Sequence, residues 1–313
     1  MNQKILLTHG PTLAVVVLMV GISELSGQRE IIFPEVTAIA VGLFLAPKQS
    51  WQVSKPRIFW LITLCAWAGL FISLWMPGPL WGKLWAAFFF CQLVLLVSGT
   101  SFAPLISAGV LPVMLGSESM VYPIAAMALT GLLVLLQLAL EQGGQKEKAP
   151  FTPLPPPDKS QWLRLLARCG IGAACIGLAV WLNTPFAAAP PILVAFTEFS
   201  RPSNPARKTP FRTAGLIFFC ALAGAACRYF LTMELGWWLT LSAAGAVVVM
   251  LGLMKVFRLY LPPAGALTIL AMLIPENAVV WYPLEVLAGV CMFLGAACLM
   301  NWREYQTKSK QTS

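Results

Sequence analysis

Four short apolar stretches of this 313-residue chain each begin with proline, and they carry most of the residues that suggest chemistry. Proline suits the first turn of a helix, where the remaining unpaired N–H groups and the positive end of the helix dipole attract anions. Small and hydroxyl-bearing residues nearby would let a ligand reach the backbone. The pattern predicts an anion-binding site formed by Pro34, Thr37, Pro104, Ser107, Pro191, Thr197, Pro262, Pro263, Ala264 and Gly265.

A structural alternative exists for the same residues, because proline and glycine are generally enriched in membrane helices. The prolines would then only shape broken helices packed in the core. Gly265 illustrates the choice. If a ligand approaches the backbone there, Gly265→Leu abolishes transport and leaves the fold intact; if Gly265 only lets two helices pack closely, the same change lowers stability in step with activity.

Three ionisable residues in or beside these stretches are candidates for coupling transport to proton movement. They are Glu198, Arg201 and Glu35. Ionisable groups at membrane depth are costly and tend to face partners or water. The alternatives are that Glu35 only caps its helix dipole and that Glu198 forms a structural ion pair with Arg201. Elsewhere, Arg228 is expected to extend outward and pair with Glu234.

Signatures of enzymes are absent from the sequence. It contains no HExxH, no paired Cys-x-x-Cys, no phosphate-binding loop with its lysine and no Gly-x-Ser-x-Gly elbow. His9 is the only histidine and cannot form a metal site by itself. We therefore expect a protein without enzymatic activity, with no catalytic residue, no metal and no cofactor.

The composition indicates that these stretches lie in lipid. Hydrophobic residues make up 58% of the chain and charged residues 11%, whereas a soluble domain has about 25% charged residues. Apolar runs of about 20 residues recur, and each can cross a hydrocarbon core about 30 Å thick. An all-α, multi-pass membrane protein is predicted.

Landmarks repeat in order along the chain, which predicts two halves of similar layout. Cys65-Ala66-Trp67-Ala68-Gly69 is matched by Cys220-Ala221-Leu222-Ala223-Gly224, and Tyr122-Pro123 by Tyr282-Pro283. The predicted division is a first membrane repeat at 1–140, a Pro-rich cytoplasmic linker at 141–160, a second repeat at 161–302 and a cytoplasmic tail at 303–313. Internal repeats in a membrane chain are typical of transporters, with the site between the repeats.

Each half is predicted to contain six helical elements, of which the second and fifth are short and begin with proline. The predicted elements lie near 5–25, 32–46, 57–76, 81–98, 103–115 and 121–140, and near 162–183, 189–200, 211–232, 235–257, 262–275 and 279–300. Six crossings is an even number, so the two repeats would be parallel and related by an axis along the membrane normal.

Lysine and arginine orient the chain, because they accumulate in cytoplasmic loops. With the N-terminus inside, the basic loops, the linker and the tail all fall inside, which places both termini in the cytoplasm and the protein in the plasma (cytoplasmic) membrane, the inner membrane of a bacterial cell. The net charge of +9 follows from this bias and from attraction to anionic lipid. The expected partners are the lipid bilayer and a small anionic substrate, without nucleic acid; homo-oligomerisation is left open.

Leu261-Pro262-Pro263-Ala264-Gly265-Ala266-Leu267, followed by an apolar run, Trp281, Pro283 and Gly289, resembles the signature of the HPP family of integral membrane proteins. Ala46-Pro47 followed by Lys55-Pro56-Arg57 is similar to a second conserved stretch of that family. The likeness covers most of each half, which implies two fused HPP-like units. The family's leading histidine is absent, since Leu261 precedes Pro262 and Ala103 precedes Pro104.

Plastid and cyanobacterial relatives are implicated in nitrite transport, so the resemblance implies a carrier or channel for a small anion. The six-element halves also resemble, without a comparable motif, exporters of aromatic acids and fusaric acid. Three readings stay open: a secondary carrier or channel for a small anion such as nitrite, an exporter of aromatic or other organic acids, and a membrane scaffold that transports nothing.

Overall fold

The computed structural model describes residues 3–46, 49–148, 150–201 and 209–300, and within these ranges every regular element is a helix. Among the described residues, eight helices are long and apolar enough to cross a membrane. They are α1 (Gln3–Ser26), α3 (Lys55–Trp75), α4 (Leu80–Val97), α6 (Val121–Gln142), α7 (Lys159–Trp181), α9 (Pro210–Cys227, continued by a π-helical turn Arg228–Glu234), α10 (Leu239–Val256) and α12 (Tyr282–Met300). The tail predicted at 303–313 lies outside the described residues.

Four short helices occupy the predicted positions between the long ones. They are α2 (Glu35–Ala40, continued by a π-helical turn Val41–Leu45), α5 (Pro104–Leu115), α8 (Pro190–Phe199) and α11 (Pro262–Leu270). Every residue of α2, α8 and α11 is buried. The long helices instead expose large apolar side chains such as Trp60, Trp181 and Phe211. Short helices therefore form the centre of the bundle, and the long helices shield them from lipid.

Helix α11 ends at Leu270, five residues before the predicted end, and Arg228 explains why. The sequence predicts that Arg228 extends outward and pairs with Glu234. That expectation is wrong: Arg228 is 2% exposed and its Nη1 donates hydrogen bonds to the carbonyls of Ala271 and Ile274, at 2.7 Å and 2.5 Å. These carbonyls follow the helix and lack partners inside it, so a cation from α9 stabilises the early end.

The central helices join the two halves of the chain. Helix α2 packs against α11, and α5 packs against α8. Around them, α1 packs against α10 and α4 against α7. Each of these four pairs combines one helix from the first half with one from the second, and the positions correspond between halves. The parallel, rotationally related repeat remains a prediction, which this pattern of contacts supports.

Loops gather at two ends of the bundle. At one end, Leu154 N–H donates to Gly99 O at 2.8 Å and Ser101 N–H donates to Gln52 O at 3.1 Å. At the other end, Thr240 N–H donates to Glu24 at 3.0 Å. We call the first the linker end; it contains 49–54, 98–103, the linker residues 143–148 and 150–158, and 257–261. We call the second the turn end; it contains 27–34, 116–120, 182–189 and 271–281.

Candidate functional site

A cavity of about 730 Å³ opens at the linker end, between the two halves. Helix α7 contributes Gln161, Arg164 and Arg168, whose spacing places them on one face of the helix. The end of α8 contributes Glu198, Ser200 and Arg201, and the start of α11 contributes Leu261 and Pro262. The first half supplies the opposite wall, which includes Trp51, Leu95, Thr100 and Ser101.

Positive charge dominates this cavity, since three arginines face one glutamate. The guanidinium group of Arg168 is close enough to those of Arg201 and Arg164 for electrostatic repulsion. Its Nε is buried and has no hydrogen-bond partner. Clustered like charges with a buried unpaired donor are unfavourable unless an anion occupies the space between them. The lining is therefore suited to a ligand that carries negative charge.

Glu198 and Arg201 are both fixed by contacts with the first half. Trp51 is 4% exposed, and its Nε1–H donates to Oε1 of Glu198 at 2.7 Å. Arg201 donates through Nη1 to the carbonyl of Ser101 at 3.0 Å, and its charge attracts the Glu198 carboxylate. Glu198 and Arg201 therefore lie close together at the cavity wall, as the sequence predicts. Their role in coupling remains a prediction.

The linker runs along the rim of the cavity, where Leu154 and Pro155 form part of the lining. Besides the bond from Leu154 to Gly99, Arg57 lies over the ring of Phe151, 4.9 Å from its centroid. Lys146 donates to the carbonyl of Ala46 at 2.8 Å, and partial burial lowers the pKa of its ammonium group. These contacts hold the linker against the bundle.

The remaining residues of the predicted site lie in the packed core. Pro34, Pro104, Pro191, Pro263, Ala264 and Gly265 are buried in or beside the short helices. A Cβ atom at Gly265 would lie 3.2 Å from Cγ2 of Thr37 and 3.3 Å from Cγ2 of Val41. The lining of the cavity includes Pro262 but neither Ala264 nor Gly265. The contacts at Gly265 favour the interpretation that this glycine allows α11 to pack closely against α2. Binding of a ligand to the Gly265 backbone remains a prediction.

Two hydrogen bonds between side chains connect the short central helices with each other and with α4. The hydroxyl of Ser107 donates to Oε1 of Glu35, which joins α5 to α2. Nε2 of Gln92 donates to the hydroxyl of Thr197 at 2.5 Å, which joins α4 to α8. Three of these four residues belong to the predicted sets: Ser107 and Thr197 to the binding set and Glu35 to the coupling set. The structure thus divides those sets between the core and the linker-end cavity.

Three residues of the cavity were missed by the sequence reasoning: Arg164, Arg168 and Trp51. The two arginines are four residues apart at the start of an apolar helix, and this spacing alone could have indicated a basic helix face. Trp51 lies in a polar loop, and nothing in the sequence marks it as the partner of Glu198.

A second cavity, of about 710 Å³, lies at the turn end. Its lining includes Asn183, Asn277, Trp281 and Glu285. Glu285 accepts a hydrogen bond from the backbone N–H of Phe186 at 2.9 Å. This lining contains a carboxylate and no cation, so the two cavities differ in charge.

A protein-family model described as HPP, transmembrane region, matches residues 154–310. No curated protein and no solved structure matches the chain. The match covers half of the chain and falls on the second membrane half with part of the linker. Two fused HPP-like units therefore remain a prediction for the first half.

Proposed function

Since this chain belongs to the HPP family of integral, multi-pass membrane proteins, we propose that it transports a small anion and that the linker-end cavity is where the anion binds. The observation that carries the proposal is the group of three arginines on one cavity wall, with the buried Nε of Arg168 unpaired. A scaffold without transport would have no need for such a cluster.

The position of the cavity supports the same proposal. It lies between the halves, where transporters built from repeats bind their substrates. At the linker end it is lined by Glu198 and Arg201, and the fully buried centre of the bundle separates it from the turn-end cavity. The proposed cycle opens this centre alternately toward each end. The membrane in which the protein resides and the direction of the cycle belong to the proposal as well, with the linker end in the cytoplasm.

An exporter of organic acids is the second candidate, and the size of the cavity favours it. Pockets of about 300–1,000 Å³ accommodate drug-sized ligands, so about 730 Å³ exceeds what nitrite needs. Leu95, Leu154, Tyr260 and Leu261 add apolar surface to the same lining. A benzoate-like anion would place its carboxylate at the arginines and its ring against this surface.

Uptake by proteoliposomes containing the pure protein tests both candidates, with nitrite, nitrate, formate and benzoate as probes and with or without a pH gradient. Loss of one charged hydrogen-bond donor costs about 1.5–3 kcal/mol, so Arg168→Gln should weaken anion binding about tenfold or more. Arg212→Gln is the matched control, because Arg212 is exposed and does not line the cavity.

The outcomes separate the readings. Preference for nitrite over benzoate supports the small-anion carrier, and the reverse supports the organic-acid exporter. Equal transport by the Arg168→Gln and Arg212→Gln proteins would show that the cavity is not the anion site. A folded wild-type protein that takes up none of the four anions would contradict the proposed function for these substrates.

A further inference from the structure

The carboxyl group of Glu35 lies in the centre of the bundle, and its side chain is 1% exposed. Its Oε1 accepts the hydrogen bond from Ser107, whereas its Oε2 is buried and has no hydrogen-bond partner. Among the described residues, no cation forms an ion pair with Glu35; the ion pair of Lys55 joins Glu141 instead. A buried acid with half of its hydrogen-bonding capacity unused requires an explanation.

The helices packed against α2 offer no compensating charge among their described side chains. Helices α5 and α11 contain no ionisable residue. Helix α6 contributes Tyr122, whose hydroxyl donates to Ala108 O, and Glu141, which is paired with Lys55. The ionisable side chains described in α1 are His9 and Glu24, near its two ends, and Glu24 accepts bonds from Thr240. The other ionisable groups near Tyr122 are Cys65, Cys91 and Glu30.

An ionised carboxylate in such surroundings is very unfavourable, because removal of a charge from water costs several kcal/mol when no opposite charge balances it. A neutral carboxylic acid avoids most of this cost. When Oε2 carries the proton, its O–H group can donate a hydrogen bond to water or to a substrate oxygen that reaches it. The observed burial therefore fits a carboxyl group that holds a proton in this closed state of the bundle.

We propose that Glu35, positioned by Ser107, is a proton-binding site of the transport cycle. When the centre of the bundle opens, the O–H bond of Glu35 breaks, the proton passes to water and the carboxylate remains; reprotonation from water on the other side resets the site. This proposal rests on the proposed transport function, and it names the proton as the coupling ion.

Further buried polar groups lie on the helices that pack between Glu35 and the cavity. Ser107 belongs to α5, which packs against α4 and α8. Those two helices carry the Gln92–Thr197 hydrogen bond, and Oε1 of Gln92 has no partner. Thr197 precedes Glu198 at the cavity wall. Glu198 differs from Glu35 because it has a cation beside it: the charge of Arg201 attracts its carboxylate, and Trp51 donates a hydrogen bond to its Oε1.

Infrared spectroscopy of the purified wild-type protein at neutral pH tests the protonation directly. We expect a C=O stretching band of a protonated carboxylic acid that disappears in Glu35→Gln. Ser107→Ala should keep this band and move it to higher wavenumber, because the carbonyl oxygen loses its donor. Glu141→Gln is the matched control: its carboxylate is ion-paired with Lys55, so the band should remain unchanged.

Uptake of nitrite and benzoate with and without an inward proton gradient then tests coupling. We expect the gradient to accelerate uptake by the wild type and by Glu141→Gln, and to have no effect on Glu35→Gln. Absence of the band from the wild type, or an unchanged gradient response in folded Glu35→Gln, overturns the proposal. A wild type that shows the band but transports neither anion contradicts the proposed function, while the proton site itself stands.

Discussion

The two halves of the molecule share a set of contacts between corresponding residues. In the first half, the hydroxyl of Tyr122 donates to Ala108 O at 2.9 Å, and its ring meets Phe33 edge-on at 5.9 Å. In the second half, the hydroxyl of Tyr282 donates to Leu267 O at 2.7 Å, and its ring meets Phe186 edge-on at 5.8 Å. The Tyr-Pro landmarks therefore fix a short helix in the same way in both halves.

In both halves, a glycine at a corresponding position allows a long helix to cross a short one at close distance. A Cβ atom at Gly69 would lie 2.1 Å from Gly109 O, and one at Gly224 would lie 2.2 Å from Thr268 O. Both distances are shorter than any side chain tolerates. Glycine has only a hydrogen atom in place of a side chain. This is why α3 can approach α5 closely at Gly69, and α9 can approach α11 closely at Gly224.

The charged chemistry differs between the halves. The three arginines of the linker-end cavity all belong to the second half. The buried Glu35–Ser107 pair belongs to the first half. In α11, Ala266 precedes Thr268 by two residues, as Ser107 precedes Gly109, so the second half has no hydroxyl at this place. The comparison teaches that a common scaffold carries different polar groups in its two halves: the second half supplies the arginines of the proposed anion site, and the first half supplies the buried carboxyl group of the proposed proton site.

The largest expected effect comes from adding a methyl group at the helix crossings. Gly69→Ala and Gly224→Ala each force backbone atoms apart. Overpacking of this kind lowers the free energy of unfolding by about 3 kcal/mol, and occasionally by more. We expect both variants to lose thermal stability in detergent by similar amounts. Fluorescence-detected unfolding or loss of the monodisperse chromatographic peak on heating measures this.

Gly177→Ala and Gly252→Ala are the controls, since a Cβ atom at either position meets nothing within 4 Å. Alanine is favoured over glycine inside a helix by about 1 kcal/mol, so these variants should be as stable as the wild type or slightly more so. If one of the two crossing variants is as thermally stable as the controls, the two halves are not equivalent at this helix crossing.

The order of long and short helices was predictable, because it follows from local signals. Runs of about 20 apolar residues require membrane spans, and proline favours the first turn of a helix. The end of α11 was not predictable, because it depends on Arg228 reaching the carbonyls of Ala271 and Ile274 from another helix. Arg228 is 43 residues from Ala271 and 46 residues from Ile274 along the chain.

The candidate site was predictable only in part, for the same reason. Glu198 and Arg201 are three residues apart, so their proximity is a local property. The pairing of Glu198 with Trp51 and the convergence of Arg164 and Arg168 on Arg201 require the fold. Helix start signals also could not show that Gly265 faces Thr37 of α2 instead of open space.

An intermediate effect is expected from Gly265→Leu, which tests the contact between the halves. The leucine side chain would displace Thr37 and Val41 where α11 packs against α2, at a cost of about 1–3 kcal/mol. Thermal stability and anion uptake should therefore fall together. Gly265→Ala, with only a slightly tight Cβ contact, should lose less of both. Loss of uptake at unchanged thermal stability would instead support the approach of a ligand to the Gly265 backbone.

The smallest effect is expected from removing the matched tyrosine hydroxyls. Side-chain hydrogen bonds inside membrane proteins contribute about 0.6 kcal/mol on average, so Tyr122→Phe and Tyr282→Phe should lower the unfolding temperature slightly and equally. The halves should differ in a second measurement. The Tyr122 hydroxyl is close enough to Glu35 to interact electrostatically, so only Tyr122→Phe should shift the infrared band of the protonated carboxyl. A shift of the same size in Tyr282→Phe would show that the band does not report on Glu35, and unequal losses of stability would show that the two tyrosines are not equivalent.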